Sequence, residues 1–197
     1  MMDVFVQLVI LFAVIFDPLA SLMVFFTATR YMEKQERQRI ATYAVLVASG
    51  LSLAVLLLGD KLLALFSTSL DEFRVAGGIV LGILGIEMAL GLNLNNIEDV
   101  KNKSGRAIAA IIGTPLLTGP AAITAIIVSV QDNGRTITGL AILTVLAATA
   151  LIFYQAEKVN KMIGKNFIQV MSTILGLVTL AWGVKFVTTG IMNILFG

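Results

Sequence analysis

Long apolar runs alternate with short polar joins along the whole chain. The runs cover residues 4–29, 41–66, 75–92, 107–130, 136–154 and 167–190. A bilayer is crossed by ~20 apolar residues rising 1.5 Å each, so the pattern predicts six transmembrane helices. The strict alternation over ~10 residues that marks a barrel strand is missing. The joins have distinct characters. Residues 30–39 and 155–166 are charged, 67–74 and 93–106 are polar, and Gln131-Asp132-Asn133-Gly134-Arg135 has the composition of a tight turn. The apolar stretch after Phe167 outruns a single span, so its end is expected to tilt or to lie in the interface.

Two of the six runs are interrupted near their middles. The first holds Asp17-Pro18-Leu19-Ala20-Ser21, the fourth Thr118-Gly119-Pro120-Ala121-Ala122. A proline inside a helix removes one N–H and crowds the preceding turn. An acid in hydrocarbon is expensive, and a broken helix is tolerated in lipid only where protein or a water-filled cavity surrounds it. Each proline suits the first position of a new half-helix, with Asp17 or Gly119 as its N-cap.

The halves of the chain resemble one another. Asp17-Pro18 corresponds to Gly119-Pro120, and Asp60-Lys61 to Glu157-Lys158. Gly78, Gly85 and Glu87 correspond to Gly176, Gly183 and Lys185 at one constant offset. A duplicated unit of three spans must be inverted in its second copy. The expectation is an all-α membrane protein forming a single domain, with residues 1–99 as one repeat and 100–197 as the other. Inverted repeats with broken helices at mid-membrane are typical of secondary transporters.

Composition sharpens this picture. Of 197 residues 58% are hydrophobic and only 13% charged, against about 25% charged in a soluble domain, and mean hydropathy is +0.95. A net charge of +2 gives nucleic acid nothing to bind, and the chain has neither Cys nor His. Disulfides, thiol chemistry and the commonest metal ligand are thereby excluded. Met1-Met2-Asp3 lacks the basic start of a signal peptide, so the first run is read as a retained span. Lys and Arg concentrate in the first, third and fifth joins, where Arg30, Lys34, Arg37, Arg39, Lys101, Lys103, Arg106, Lys158, Lys161 and Lys165 fall. The other joins hold Lys61, Arg74 and Arg135. The basic joins belong in the cytoplasm, which predicts a multi-pass protein of the cell membrane with both termini outside.

Candidate chemistry gathers at the breaks. The freed amides of Leu19, Ala20 and Ser21, and of Ala121, Ala122 and Ile123, suit an anion. Carbonyls released upstream, those of Val14 and Leu116 among them, suit an ammonium or a cation. Facing donors and acceptors with little side-chain bulk describe a site for a small zwitterion. The candidate substrate-binding residues are Asp17, Pro18, Leu19, Ala20, Ser21, Thr118, Gly119, Pro120, Ala121, Ala122 and Thr124. Asp17 has several readings open to it: helix cap, ligand for an ammonium or Na⁺, or proton carrier. The hydroxyls of Thr114, Thr118 and Thr124 either meet substrate or bond back to the helix. Glu87 and Lys185 should lie at opposite depths, each reaching its own interface. The glycine stripes should serve close helix packing.

These residues resemble the MarC-like family of integral membrane proteins, a likeness that covers nearly the whole chain. It rests on Asp17-Pro18-Leu19-Ala20 with Phe25, on Gly77-Gly78-Ile79, on Pro115-Leu116 followed by Gly119-Pro120, and on Gly176-Leu177 and Gly190-Ile191. Where the family usually reads Pro-x-Gly-Asn and then a further Pro, this chain has Ala20, Ser21 and Met23. The resemblance implies six helices in an inverted three-plus-three repeat and transport of glycine, alanine or similar small neutral amino acids. No cofactor is expected beyond H⁺ or Na⁺ as coupling ion, and no enzymatic activity. A passive channel, or an exporter of another small polar solute, fits the sequence as well. The oligomeric state is left open.

Overall fold

The computed structural model describes residues 2–65, 67–91 and 104–196, with the side chains at 60, 115 and 160–166 left out. The expected ends of the second and third runs at Phe66 and Leu92, and Lys101 and Lys103 of the third join, lie outside the described residues. Helices follow one another along the chain: α1 (Met2–Phe16), α2 (Pro18–Thr29), α3 (Lys34–Leu65), α4 (Leu70–Ala89), α5 (Gly105–Ile111), α6 (Pro120–Asn133), α7 (Arg135–Tyr154) and α8 (Ala156–Phe196). A π-helical turn, Ile112–Leu117, joins α5 to the second break. No strand occurs among the described residues.

The two breaks fall where the pattern put them, but two joins are helical. α3 begins at Lys34 and not at residue 41, because Lys, Gln, Glu and Arg are good helix formers and no proline intervenes. For the same reason the charged join after α7 continues straight into the sixth run as the 41-residue α8. At 1.5 Å per residue that helix is about 60 Å long, twice a hydrocarbon core. The turn between α6 and α7 is the single residue Gly134, at φ 89°, a backbone region open to glycine. Ser69 and Glu72 form a reciprocal capping box at the start of α4: the Glu72 amide donates to Ser69 Oγ at 3.2 Å and the Ser69 amide to Glu72 Oε2 at 2.8 Å.

Among the described residues, four segments are long and apolar enough to cross a membrane: Met2–Thr29, Lys34–Gly59, Arg135–Tyr154 and Phe167–Phe196. The other two expected spans do not qualify alone, for local reasons. α4 carries Asp71, Glu72, Arg74 and Glu87, and the fourth run is cut at Gly119.

The tightest packing is between α4 and α8, which run antiparallel with their backbones in contact. A Cβ on Gly78 would stand 2.7 Å from the Gly183 carbonyl oxygen, and one on Gly85 2.5 Å from the Leu180 amide and 2.7 Å from the Gly176 carbonyl. From α8, a Cβ on Gly190 would meet the Asp71 carbonyl at 2.8 Å. The glycine stripes thus do what close packing in a membrane requires. Elsewhere the core is aromatic and branched: Phe12, Phe16, Leu22, Phe25, Leu81, Ile126 and Ile142 are fully buried. Phe25 stacks on Phe153 with ring centres 4.8 Å apart. Leu46, Leu57, Ile79, Leu140, Leu151 and Leu177 point outward, an apolar girdle that water would penalise and lipid does not.

The two ends of the bundle differ in charge. At one end Arg37 pairs with Glu157 at 3.0 Å, the Thr42 and Tyr154 hydroxyls bond, and Gly105 sits against Ile40. The first and fifth joins and the described end of the third therefore meet there. At the other end buried Arg74 pairs with Asp132, and Asn193 Nδ2 donates to Asp71 Oδ1 at 2.9 Å.

Candidate functional site

At the first break one residue leaves the helix. Asp17 adopts φ 37°, ψ 69°, a left-handed conformation that Asp tolerates better than most residues. Its carboxyl turns back to cap α2: Oδ1 accepts from the Ala20 amide at 3.2 Å. α2 then opens with Pro18 at its first position, and the Ser21 amide donates to the Asp17 carbonyl at 3.0 Å. Ser21 Oγ lies 3.5 Å from the Phe16 carbonyl, one of the acceptors the break sets free. The other carboxylate oxygen, Oδ2, accepts from Ser172 Oγ of α8 at 3.5 Å. Asp17 is 8% exposed and Ser172 likewise 8%.

The second break is built differently. Pro115 has no N–H to give, and the helix around it relaxes into the π turn. Thr118 then departs from helical geometry, and Gly119 is extended at φ −78°, ψ −177°. Pro120 opens α6, which has no side-chain cap. The Ile123 amide donates to the Gly119 carbonyl at 3.0 Å, so the amides of Ala121 and Ala122 lie ahead of the helical ladder. Such an uncapped N-terminus favours negative charge.

Both breaks face one cavity of about 360 Å³, near the lower end of the range for small-molecule sites. Asp17, Ala20 and Ser21 line it from the first break, and Gly119, Pro120, Ala121 and Ala122 from the second. The third wall is α4, through Val80, Ile83, Leu84, Glu87 and Met88. Walls that are mostly apolar, with a few convergent polar groups, fit a small ligand that must be oriented.

Four of the candidate residues stand apart from the lining. Pro18 and Leu19 are half-buried on the first turn of α2. Thr118 Oγ1 donates to the Ala48 carbonyl at 3.4 Å, and Thr124 Oγ1 to the Pro120 carbonyl at 3.1 Å. The Thr124 methyl also presses on Gly77, where a Cβ would come within 1.8 Å of it. Leu116 lines the cavity, as does Glu87, whereas the pattern assigned Glu87 to a membrane interface. Lys185 lies in a separate cavity towards the other end of the bundle, so Glu87 and Lys185 do stand apart. The sequence offered no sign of Ser172. It lies on a helix with no break, and only the packing of α8 against α2 brings it to Asp17.

The comparisons with known proteins agree with this architecture. The family model described as MarC family integral membrane protein matches residues 2–195. A UPF0056 membrane protein of Methanocaldococcus jannaschii is 33% identical, over 92% of this chain and 92% of its own. The UPF0056 membrane protein YhcE of Escherichia coli is 30% identical, over 95% of this chain and 91% of its own. No solved structure matches the chain.

Proposed function

Because the chain belongs to the MarC family of integral membrane proteins, we propose that it is a secondary transporter of small neutral amino acids, glycine and alanine foremost, working by alternating access. The observation that carries this reading is the pair of broken helices opening on one small cavity. The bare amides of α6 take the substrate carboxylate, and Asp17 takes the ammonium or the coupling H⁺ or Na⁺. Ala20, Ala121 and Ala122 leave room for a hydrogen or methyl side chain and little more. Transport then needs the cavity to open alternately to either side.

The same reading includes six spans in two inverted repeats. α4 and α8 support it. Gly78 meets Gly183 and Gly85 meets Gly176, while the offset of 98 residues equates Gly78 with Gly176 and Gly85 with Gly183. Partners that exchange in this way are the mark of a two-fold axis. The gathering of the basic joins at one end supports a cytoplasmic face there and termini outside.

Uptake of labelled glycine or alanine into proteoliposomes tests the proposal. Wild-type protein is expected to accumulate substrate against its gradient, and an ionophore that collapses the ion gradient is expected to stop it. Uptake that only equilibrates, whatever the ion gradient, would identify a channel. Asp17→Ala and Gly119→Leu are each expected to abolish uptake, and unchanged uptake by both would overturn the site.

A further inference from the structure

A second cavity, of about 390 Å³, opens between α1, α4, α6 and α8 towards the end of the bundle away from the basic joins. Its polar lining includes Gln7, Arg74, Asp132, Asn133 and Lys185, with Ser129 and Thr189 beside them and Trp182 as an aromatic wall. This cavity is the repeat counterpart of the central one. Leu84, Glu87 and Met88 of the central cavity, moved on by 98 residues, become Trp182, Lys185 and Phe186 of the second. The broken segments contribute different stretches to the two cavities. The central cavity takes Ala20 and Val24 after the first break, and Ile111 and Leu116 before the second. The second cavity takes Leu8 and Leu11 before the first break, and Val128 and Ser129 after the second. Neither break reaches it.

Its charges are those that a zwitterion needs. Arg74 is only 6% exposed. Its guanidinium pairs with Asp132 through Nη2 and stands 3.8 Å from Asp71 through Nη1, while Nε, fully buried, has no hydrogen-bond partner. A buried N–H without an acceptor is costly, so Asp132 and Asp71 leave the guanidinium incompletely satisfied. The exposed Lys185 adds a second cation. Asp132 and the Trp182 ring offer an ammonium its partners.

We propose that the second cavity is a vestibular binding site, where a small amino acid is held by its carboxylate on Arg74 and Lys185 before or after it occupies the central cavity. The proposal rests on the transport reading of the preceding subsection, and its test is separable from that reading. Trp182 is the one tryptophan in the chain, so its emission reports this cavity directly. Titration of the purified protein with glycine is expected to give a saturable change in Trp182 emission. Glycinamide, which lacks the carboxylate, should give none. Lys185→Gln should weaken the apparent affinity about tenfold, and Lys185→Arg should restore it. Asp17→Asn should lower uptake and leave the Trp182 titration in place. The proposal is overturned if glycine leaves Trp182 emission unchanged, if glycinamide matches glycine, or if Lys185→Gln titrates like wild type. It is also overturned if Asp17→Asn abolishes the response, because Trp182 would then be reporting the central site from a distance. Should Asp17→Ala and Gly119→Leu transport normally while the Trp182 response persists and depends on Lys185, the central-site reading fails and the vestibular site stands.

Discussion

The two breaks solve one problem in opposite ways. Each interrupts a membrane helix just before a proline, and each leaves the first amides of a half-helix without carbonyl partners. At the first, the chain supplies its own answer: the Asp17 carboxylate caps the Ala20 amide and is itself held by Ser172. At the second, Gly119 brings no side chain and α6 stays uncapped. The first break therefore carries its own carboxyl group, and the second offers donors to whatever negative charge arrives. Two identical capped breaks would repel a substrate carboxylate from both sides. Two bare ones would leave its ammonium without the Asp17 carboxyl between the half-helices. Under the proposed function, that difference is what would let the cavity hold a zwitterion by both ends.

The largest effects should come from erasing that difference. Asp17→Ala removes both charge and cap, and uptake is expected to fall at least a hundredfold, about 2.8 kcal/mol at 1.4 kcal/mol per factor of ten. Asp17→Asn separates the two roles. Asn caps a helix as well as Asp does, so the fold should hold and the loss of uptake report charge alone. If Asp17→Asn transports like wild type, the first break is a structural cap and the comparison collapses to geometry. Gly119→Leu tests the other side. The backbone at φ −78° is open to any residue, so the variant should fold, with leucine standing in the cavity and uptake lost.

A middle-sized effect is expected where the second break leans on its neighbour. A Cβ on Gly77 would meet the Thr124 methyl at 1.8 Å, whereas one on Gly82 finds nothing nearer than Leu180 Cδ1 at 3.9 Å. Gly77→Ala should push α6 away from α4 and cost about 1–3 kcal/mol, as overpacking usually does. Gly82→Ala, one turn along the same helix, should be near neutral. Thermal unfolding of the two purified variants measures the contrast. Equal midpoints would mean that α6 is free to move at the second break.

Much of this arrangement is legible in the residues. Asp17-Pro18 and Gly119-Pro120 announce their breaks because proline cannot donate and lipid cannot repair the ladder. The glycine stripes announce the α4–α8 contact because only small residues let backbones touch. Helix ends are harder. The charged residues from Lys34 and from Ala156 read as joins by polarity, yet they form helices readily and extend α3 and α8. Hardest are contacts made by tertiary packing alone. Nothing about Ser172 or Glu87 in sequence says which cavity or carboxylate it will meet, since that depends on how α8 and α4 rotate against the broken segments.

The smallest predicted effects set single hydroxyls at the two breaks against each other. Ser172 Oγ holds the free carboxylate oxygen of Asp17 at 3.5 Å, and Thr118 Oγ1 bonds the Ala48 carbonyl at 3.4 Å. Both groups are buried and both contacts are long, so each should contribute no more than about 1 kcal/mol. Their consequences should nevertheless differ. Ser172→Ala acts on the partner of Asp17, the acid to which the proposed function gives a role in binding. Uptake should fall about threefold to fivefold, through a weaker and less well aimed Asp17, with little change in melting temperature. Thr118→Val acts on a hydroxyl that anchors the second break to α3, away from the cavity lining. It should lower the melting temperature slightly and leave the concentration dependence of uptake as it was. The reverse pattern, with Thr118→Val changing substrate affinity and Ser172→Ala changing only stability, would show that the bare break aims the ligand and the charged one merely holds the helices together.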